Sequence, residues 1–287
     1  MADPIPNHFT TEFSKNWIER IQQTKCRLDA YIEFDDFDGE RKRYDRIGSM
    51  NSQQITDRKG QTRITDASTD NRWAYRAGYD IANTLDEDDA MNLGPLTLPD
   101  SDYVRQHTNA YHRDCDDVSW ATAINDAKTG TLGTTDTPLP ASQIVVHGGT
   151  GLTIAKLITA NEIIEDADLE DEAPRILCVT AKQLTNLLNT TEVRSADYNT
   201  VKALVSGQID TFMGFKFIKI KRLPKASTTR SCIGWVKGAI KVMRGSKTVH
   251  MDKLPGNQHA LQIRSKWNLG GVRVHDESVV VIECTES

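Results

Sequence analysis

The stretch Arg175 to Pro224 decides the fold of this 287-residue chain. It begins RILCVTAKQLTNLL (175–188) and ends GQIDTFMGFKFIKIKRLP (207–224). The first six residues are apolar except at their ends, which predicts a short buried strand. Ala181 to Asn189 has helical spacing of its leucines and predicts a helix. A strand followed directly by a helix indicates a mixed α+β region.

The second half of this stretch adds a helix and a strand. Asn199 to Ser206 predicts another helix, which ends at Gly207 because glycine is favoured just after a helix C-terminus. Phe215 to Leu223 predicts a strand. Its apolar alternation slips between Phe217 and Ile218, and we expect a β-bulge there because a period-two pattern does not otherwise change phase.

The N-terminal region carries an apolar stripe. Phe9, Phe13, Trp17 and Ile21 recur every four residues. This spacing predicts an amphipathic helix. We expect an arm helix within 9–30 whose apolar side packs against another surface.

Asp35 to Thr69 is polar and too poor in apolar residues to form a core. It predicts a long hairpin that projects from the body. Loops of about 35 residues are uncommon in compact monomers and are usually functional, disordered or bound to a partner. The basic residues of this hairpin are Arg41, Lys42, Arg43, Arg46, Arg58, Lys59 and Arg63.

The middle of the chain predicts helices separated by breaks. Asp70 to Asn83 has helical apolar spacing and predicts a short helix. A boundary is expected near residue 98, followed by a long helix over 100–126 with Asp100 or Ser101 as its N-cap. Further predictions are a linker at Lys128 to Ser142, a helix at Leu152 to Glu165, a strand or helix at Ile233 to Val242, and closing strands at Ala260 to Ile263, Val272 to His275 and Ser278 to Cys284.

Charge is distributed unevenly along the chain. Its net charge is -5, but residues 84–172 carry 4 basic and 18 acidic groups, and residues 173–287 carry 18 basic and 8 acidic groups. One interpretation is solvated faces. The other is that the basic region of one molecule docks on the acidic region of another, since complementary patches steer association. An isoelectric point near 5.8 argues against sequence-specific DNA binding.

Composition and cysteine usage exclude several classes of protein. Hydrophobic residues make up 38% and charged residues 26%, as in ordinary globular domains. The longest aliphatic run, Val279 to Ile282, is far shorter than the ~20 residues of a spanning helix, and the N-terminus lacks signal-peptide character. We therefore expect folding in a cytoplasm and no membrane association. Five cysteines without CxxC spacing predict reduced thiols.

Patterns that would indicate catalysis or ligand binding are weak. The loop Gly148 to Gly151 lies between a strand and a helix, as a phosphate loop would, but Ile154 occupies the position of the third glycine. We expect a flexible connection there. His112 and Cys115 supply only two metal ligands on one helix face. The acidic clusters at 86–89 and 162–172 are typical of solvated segments. No catalytic, cofactor-binding or metal-binding residue is predicted.

The stretch Arg175 to Pro224 resembles the tailed-bacteriophage major capsid proteins, which have the Hong Kong 97 phage fold. Gly207-Gln-Ile209, Gly214-Phe215 and Leu223-Pro224 carry the resemblance, supported by the order of elements over most of the chain. The resemblance implies an α+β fold divided into an N-terminal arm (1–34), an extended loop (35–70), a peripheral domain with a spine helix (71–142), an axial domain (143–256) and closing strands of the peripheral domain (257–287).

The resemblance implies a protein that self-assembles as hexamers and pentamers into the icosahedral shell around the double-stranded DNA of a tailed phage. The arm residues and the seven basic hairpin residues would then contact neighbouring subunits. Implied partners are a separate scaffolding protein, a portal, a decoration or cement protein, and DNA held by nonspecific contact. Lys42 and Lys59 lie in the loop that forms cross-links in the type member, but no pattern identifies their partners.

Two alternatives stay open at this point. One is a nanocompartment shell protein of the same fold, which neighbouring cargo genes would distinguish. The other is a soluble nucleotide-binding enzyme that uses the Gly148 to Gly151 loop, which a nucleotide-dependent rise in melting temperature would distinguish.

Overall fold

The computed structural model describes residues 22–56, 60–61, 64–85, 102–167, 173–188, 211–257 and 259–286. The helices are α1 (Asp102–Ile124), α2 (Ile154–Glu165) and α3 (Ala181–Leu188). The strands are β1 (Glu33–Asp36), β2 (Arg41–Ile47), β3 (Thr69–Tyr75), β4 (Ala77–Leu85), β5 (Ala127–Thr129), β6 (Thr135–Thr137), β7 (Ile144–Val145), β8 (Arg175–Val179), β9 (Thr211–Phe212), β10 (Phe215–Lys219), β11 (Lys225–Ala226), β12 (Thr229–Val236), β13 (Ile240–Leu254), β14 (Ala260–Arg273) and β15 (Val279–Thr285). Within these residues, no helix is long and apolar enough to cross a membrane. The α+β class is confirmed.

The chain divides into two compact units. The larger comprises Arg27–Ala77, Cys115–Ser246 and Asn268–Ser287, and the smaller comprises Met1–Cys26, Gly78–Asp114 and Lys247–Trp267. Both units are therefore built from segments that are distant in sequence. The five-segment division implied by the family resemblance stays a prediction.

The core of the larger unit lies on a seven-stranded mixed sheet of order β7-β15-β12-β8-β10-β9, with β11 paired to β12. Leu177 on β8, Phe215 on β10 and Val280 on β15 are fully buried in one hydrophobic cluster. Helices α2 and α3 pack on this cluster through Leu157 and Leu187. The predicted strand at Arg175 and the predicted helices at 152–165 and 181–189 are confirmed.

The bulge predicted between Phe217 and Ile218 is wrong. Strand β10 pairs in parallel with β8 in an unbroken register from Phe215 to Lys219. It ends at Lys219 instead of continuing to Leu223. Apolar residues on both of its faces are explained by its place inside the sheet, because parallel strands that are covered on both faces lose simple alternation.

The predicted helix at Asp70 to Asn83 is also wrong, because this segment forms β3 and most of β4. Strand β3 pairs with β2 over its whole length, from Arg41 opposite Tyr75 to Ile47 opposite Thr69. The predicted linker at 128–142 contains β5 and β6, which extend the same sheet in the order β2-β3-β5-β6. Pairing with a strand distant in sequence overrides the local helical spacing.

The two predicted closing strands at 260–263 and 272–275 form one strand, β14. Its Gly270-Gly271 pair suggests the end of a strand from the sequence, but the strand continues through both glycines, and the backbone is closely packed there. A Cβ on Gly270 would lie 2.5 Å from the carbonyl oxygen of Tyr75, and one on Gly271 would overlap Oγ1 of Thr122. Only glycine fits these contacts. The segment 233–242, for which the sequence left strand and helix open, forms the end of β12 and the start of β13.

The long helix predicted over 100–126 is confirmed as α1. In the smaller unit, alternate residues of β14 face this helix. The side chain of Ser265 lies 2.8 Å from Nδ1 of His107, and Nε1 of Trp267 donates to Asp114 at 3.1 Å. Burial lowers the pKa of His107, which favours its neutral form in this contact.

The predicted arm helix does not extend through 22–28, where the chain is irregular before a 3₁₀ turn at Asp29–Tyr31. The stripe Phe9, Phe13, Trp17 and Ile21 lies outside the described residues. So do the boundary near residue 98, the N-cap at Asp100 or Ser101, and the helix at Asn199 to Ser206 with Gly207.

Candidate assembly interface

The extended hairpin is defined as β2, β3 and their connection, 48–68. In its described residues, the connection has no helix or strand. Its large apolar side chains are exposed: Met50 is 62% exposed, Ile55 88% and Ile64 87%. Single exposed apolar residues are ordinary, but several on one loop indicate an interaction surface.

One face of the hairpin points to solvent and carries a cation–aromatic stack. The alternating burial of β2 places Arg41 and Arg43 on its exposed face. Their guanidinium carbons lie 5.0 Å and 6.0 Å from the ring centroid of Trp73. Both distances are within cation–π range. Arg41 also donates to the carbonyl oxygen of Leu132 at 3.3 Å. Arg43 is paired with Asp45 at 2.5 Å.

The turn between β5 and β6 holds this stack in place. Nε1 of Trp73 donates to the carbonyl oxygen of Gly130 at 2.7 Å, and the hydroxyl of Tyr75 donates to that of Gly133 at 2.9 Å. Gly133 has a φ of 71°, and a Cβ there would lie 2.7 Å from the Trp73 ring. The β5–β6 turn therefore fixes the positions of Trp73 and Tyr75 in this structure.

The other face of the hairpin is anchored to the body of its own chain. Nζ of Lys42 donates to Asp35 at 2.6 Å, and the hydroxyl of Tyr44 donates to the same carboxylate at 2.9 Å. The hydrogen bond from Lys42 lowers the pKa of Asp35, and burial raises the pKa of Tyr44. Arg46 donates to the carbonyl oxygen of Val274, outside the hairpin, and pairs across the hairpin with Asp70 at 2.6 Å.

The structure therefore separates the predicted basic residues into two sets. Arg41 and Arg43 share the exposed face, whereas Lys42 and Arg46 lie on the opposite face, which is bonded to Asp35 and to the carbonyl oxygen of Val274. Arg58, Lys59 and Arg63 lie outside the described residues. The contact of these residues with neighbouring subunits stays a prediction. Sequence reasoning missed Trp73 and Tyr75 because it assigned them to a helix; their alternation with Arg72 and Ala74 was the available signal.

The loop Gly148 to Gly151 is not a flexible connection, and it is organised around Lys156. This buried lysine donates from Nζ to the carbonyl oxygens of His147, Thr150, Gly151 and Glu283, at 2.7 to 3.0 Å. Burial lowers the pKa of Lys156. A phosphate loop presents N–H groups to its ligand. This loop directs carbonyl oxygens at an ammonium group, which is the opposite polarity.

The helical pair His112 and Cys115 gains no third ligand in the part of the chain that the structure describes. No group of three or more histidine, cysteine or acidic side chains converges there. Cys115 is buried, and the His112 ring lies 5.6 Å from that of Tyr111. These residues contribute to helix packing.

Comparison with known proteins identifies the family. The model of the phage capsid protein family matches residues 5–286. The chain therefore belongs to this family. No curated protein matches the chain.

Solved structures share the fold over nearly the whole chain. A chain of Mycobacterium phage Che8 aligns with a TM-score of 0.71 at 14% identity, covering 98% of both chains. The capsid of Ralstonia phage GP4 aligns at 0.72 and 10% identity, covering 100% of this chain and 98% of the other. The head of Helicobacter pylori bacteriophage KHP40 aligns at 0.73 and 10% identity, covering 96% and 95%.

Family membership defines a structural protein of a virus shell, not an enzyme. The chain is a major capsid protein, and it forms the shell of a phage virion by self-assembly. The nucleotide-binding alternative is thereby set aside.

Proposed function

We propose that this capsid protein assembles as hexamers and pentamers into an icosahedral shell around double-stranded DNA, and that the extended hairpin forms a principal contact between subunits. The exposure of Met50, Ile55 and Ile64 carries this proposal. Burial of one large aliphatic side chain contributes about 1.5–3 kcal/mol. A neighbouring subunit that covers these side chains would gain that free energy.

Charge complements this apolar contact. Arg41 and Arg43 present guanidinium groups on the exposed face, and residues 84–172 carry 18 acidic groups against 4 basic ones. We propose that Arg41 and Arg43 face acidic residues of the 84–126 region of an adjacent subunit. Lys42 and Arg46 are assigned to anchoring the hairpin within its own subunit, because Lys42 donates to Asp35 and Arg46 to the carbonyl oxygen of Val274, both outside the hairpin.

The wider set of partners follows from the same proposal. A separate scaffolding protein would direct assembly in the host cytoplasm, a portal would occupy one vertex, and a decoration or cement protein would bind the outer surface. Packaged DNA would contact the shell without sequence readout, since phosphate contacts are independent of sequence.

The test is a pair of substitutions in the hairpin connection, Ile55→Ser with Ile64→Ser. Their side chains are exposed in the subunit, so the subunit should fold as before while shell assembly falls at least tenfold. The measurements are negative-stain electron microscopy and light scattering on the co-expressed assembly system. Val146→Ser is the matched control, since Val146 is 69% exposed and lies outside the hairpin.

A second variant tests the charged part of the contact. Arg41→Glu with Arg43→Glu should reduce the yield of closed shells, whereas Lys253→Glu, on β13, should not. Wild-type yields from both hairpin variants would contradict the proposed role of the hairpin. They would leave membership in the capsid family unaffected.

A further inference from the structure

Three arginines and two aspartates meet where β2 and β3 join the body of the larger unit. We name Arg46, Arg72, Arg273, Asp70 and Asp276 the guanidinium cluster. Asp276 accepts from Nη2 of Arg72 and from Nε of Arg273, each at 2.6 Å. Asp70 accepts from Arg46 at 2.6 Å and lies 3.8 Å from Arg72. The hairpin is thus joined to β14 and to the turn after it.

Each side-chain nitrogen of Arg273 has a hydrogen-bond partner. Besides Asp276, it donates to the carbonyl oxygens of Ala123, Asn125 and Thr137 at 2.6 to 3.2 Å. It therefore caps the C-terminal end of α1, where a cation is favoured by the helix dipole. Arg273 needs no additional ligand.

Arg72 is different, because it is buried and only partly bonded. Its side chain is 3% exposed. Nη2 is held by Asp276, but Nε and Nη1 have no hydrogen-bond partner among the residues that the structure describes. Nε of Arg46, in the same cluster, is also buried and has no hydrogen-bond partner among these residues. Each buried donor without a partner lowers the stability of the folded protein by about 1–3 kcal/mol. Native proteins therefore rarely contain such donors.

The charges point to the kind of group that is required. Three guanidinium groups face two carboxylates, which leaves one positive charge in excess. Both carboxylates are already shared, since Asp276 bonds two arginines and Asp70 faces two. A neutral acceptor would satisfy the free N–H groups but would leave the excess charge. An oxyanion satisfies both, and arginine is well suited to carboxylate and phosphate oxygens.

We propose that the guanidinium cluster is an oxyanion site, in which Nε and Nη1 of Arg72 and Nε of Arg46 bind the oxygens of a carboxylate or of a phosphate-like ion. The oxyanion has two sources, a free inorganic anion or an acidic side chain of an adjacent subunit. The second source rests on the proposed assembly, and the first does not.

The first experiment uses the unassembled full-length subunit and sulfate as the probe. Sulfate should raise the melting temperature with the logarithm of its concentration above the dissociation constant, by about 3 °C at ten times that constant, relative to sodium chloride of equal ionic strength. Arg72→Met should abolish this rise. Arg264→Met is the control and should keep it, because Arg264 pairs with Asp80 at 2.6 Å but is exposed.

The second experiment distinguishes the sources. If an acidic side chain of a neighbour supplies the oxyanion, sulfate will have no specific effect on assembled shells, and Arg72→Met will lower the melting temperature of shells more than that of subunits. If a free anion supplies it, sulfate will stabilise subunits and shells alike. Equal effects of sulfate and chloride, together with equal losses in Arg72→Met shells and subunits, would overturn the proposal.

A variant that fails to fold would not block the test. Sulfate also stabilises folded proteins without binding a site, so its effect on the wild-type protein is compared with its effect on a conservative variant. Arg72→Lys keeps the charge but removes the guanidinium geometry, and it should weaken the sulfate response at least tenfold in dissociation constant. Selenate would locate the ion directly, as an anomalous scattering peak beside Arg72; a peak elsewhere only would contradict the assignment.

Discussion

The extended hairpin and the seven-stranded sheet use the same kinds of apolar residue for opposite purposes. Leu177 and Val280 are fully buried within the subunit, whereas Ile55 and Ile64 are almost fully exposed. The first pair therefore contributes to the folding of the subunit. The second pair can contribute only when another surface covers it, as the proposed contact between subunits would.

The stability of the subunit and the assembly of the shell can therefore be tested separately in this protein. Substitutions in the sheet should lower the free energy of unfolding of the isolated subunit. Substitutions in the hairpin connection should leave it unchanged and act on the yield of shells. Four predictions follow from this difference. In each, the free energy of unfolding is measured by chemical denaturation of the unassembled subunit.

The largest effect is expected for Leu177→Ala. Leu177 is fully buried between β12 and the helices, and its truncation leaves a cavity as well as removing apolar contact. We expect a loss of about 2–5 kcal/mol in the free energy of unfolding. Ile158→Ala on α2 is the control, since Ile158 is 49% exposed, and it should cost much less. Equal losses would mean that this sheet is not the core.

Lys156→Met should be the next most damaging. The ammonium group is bonded to four backbone carbonyl oxygens, and methionine removes all four hydrogen bonds. The carbonyl oxygens of His147 and Thr150 keep a backbone donor each, whereas the bonds that tie Gly151 and Glu283 to the ammonium group are lost. We expect a loss of about 3 kcal/mol. The same change at the exposed Lys237 should have little effect. A loss at Lys156 below about 1 kcal/mol would show that the loop does not depend on the lysine.

The carboxyl group of Glu286 should make the stability of the larger unit sensitive to acid. Burial alone would raise the pKa of its carboxyl, but hydrogen bonds from Arg230, Gln183 and Lys225 outweigh burial and lower it to about 2. Because the pKa is lower in the folded state, the stabilisation is present above about pH 4.5 and is lost as the pH falls towards 2. We expect it to contribute about 2 kcal/mol at neutral pH.

Glu286→Gln should remove most of this pH dependence. The measurement is the free energy of unfolding from urea denaturation, at pH values from neutral down to the pKa of Glu286. Glu277→Gln is the matched control, because its side chain is half exposed. An unchanged slope in Glu286→Gln would contradict the assignment.

The smallest effect on the subunit is expected for Ile55→Ser. Its side chain is 88% exposed. Its replacement should therefore change the free energy of unfolding by less than about 0.5 kcal/mol, as is usual for surface substitutions. Together with the loss of shells expected above, this result would place Ile55 in the contact between subunits. A loss comparable to that of Leu177→Ala would instead assign the connection to the fold of the subunit.

Elements that depend on local pattern were predicted well from the sequence. Helix α1 and the strand–helix pair β8 and α3 follow from spacing and turn residues within each segment. The errors fell on β3, β4 and β14. Trp73, Ala74 and Ala77 have spacing that fits a helix, but β2 pairs with β3 across the hairpin. Gly270 looks like a break, but the backbone of Tyr75 passes too close for any side chain.

The candidate interface shows the same division. The sequence indicated a basic, exposed hairpin, because polar composition and a lack of core residues are visible along the chain. Which arginines face outward depends on the pairing register, since a shift of one residue exchanges the two faces of a strand. That register separates Arg41 and Arg43 from Lys42 and Arg46.

The amino-acid sequence alone predicts the class of fold, the helices with strong local signals, the uneven distribution of charge and the resemblance to phage capsid proteins. The tertiary structure was needed to show that Lys156 closes the Gly148 loop, that Trp73 supports two arginines, and that two nitrogen atoms of the buried Arg72 lack a hydrogen-bond partner among the described residues. The physical reason is that burial and hydrogen-bond satisfaction depend on contacts between residues far apart in the chain, such as Arg72 and Asp276, which no local pattern records.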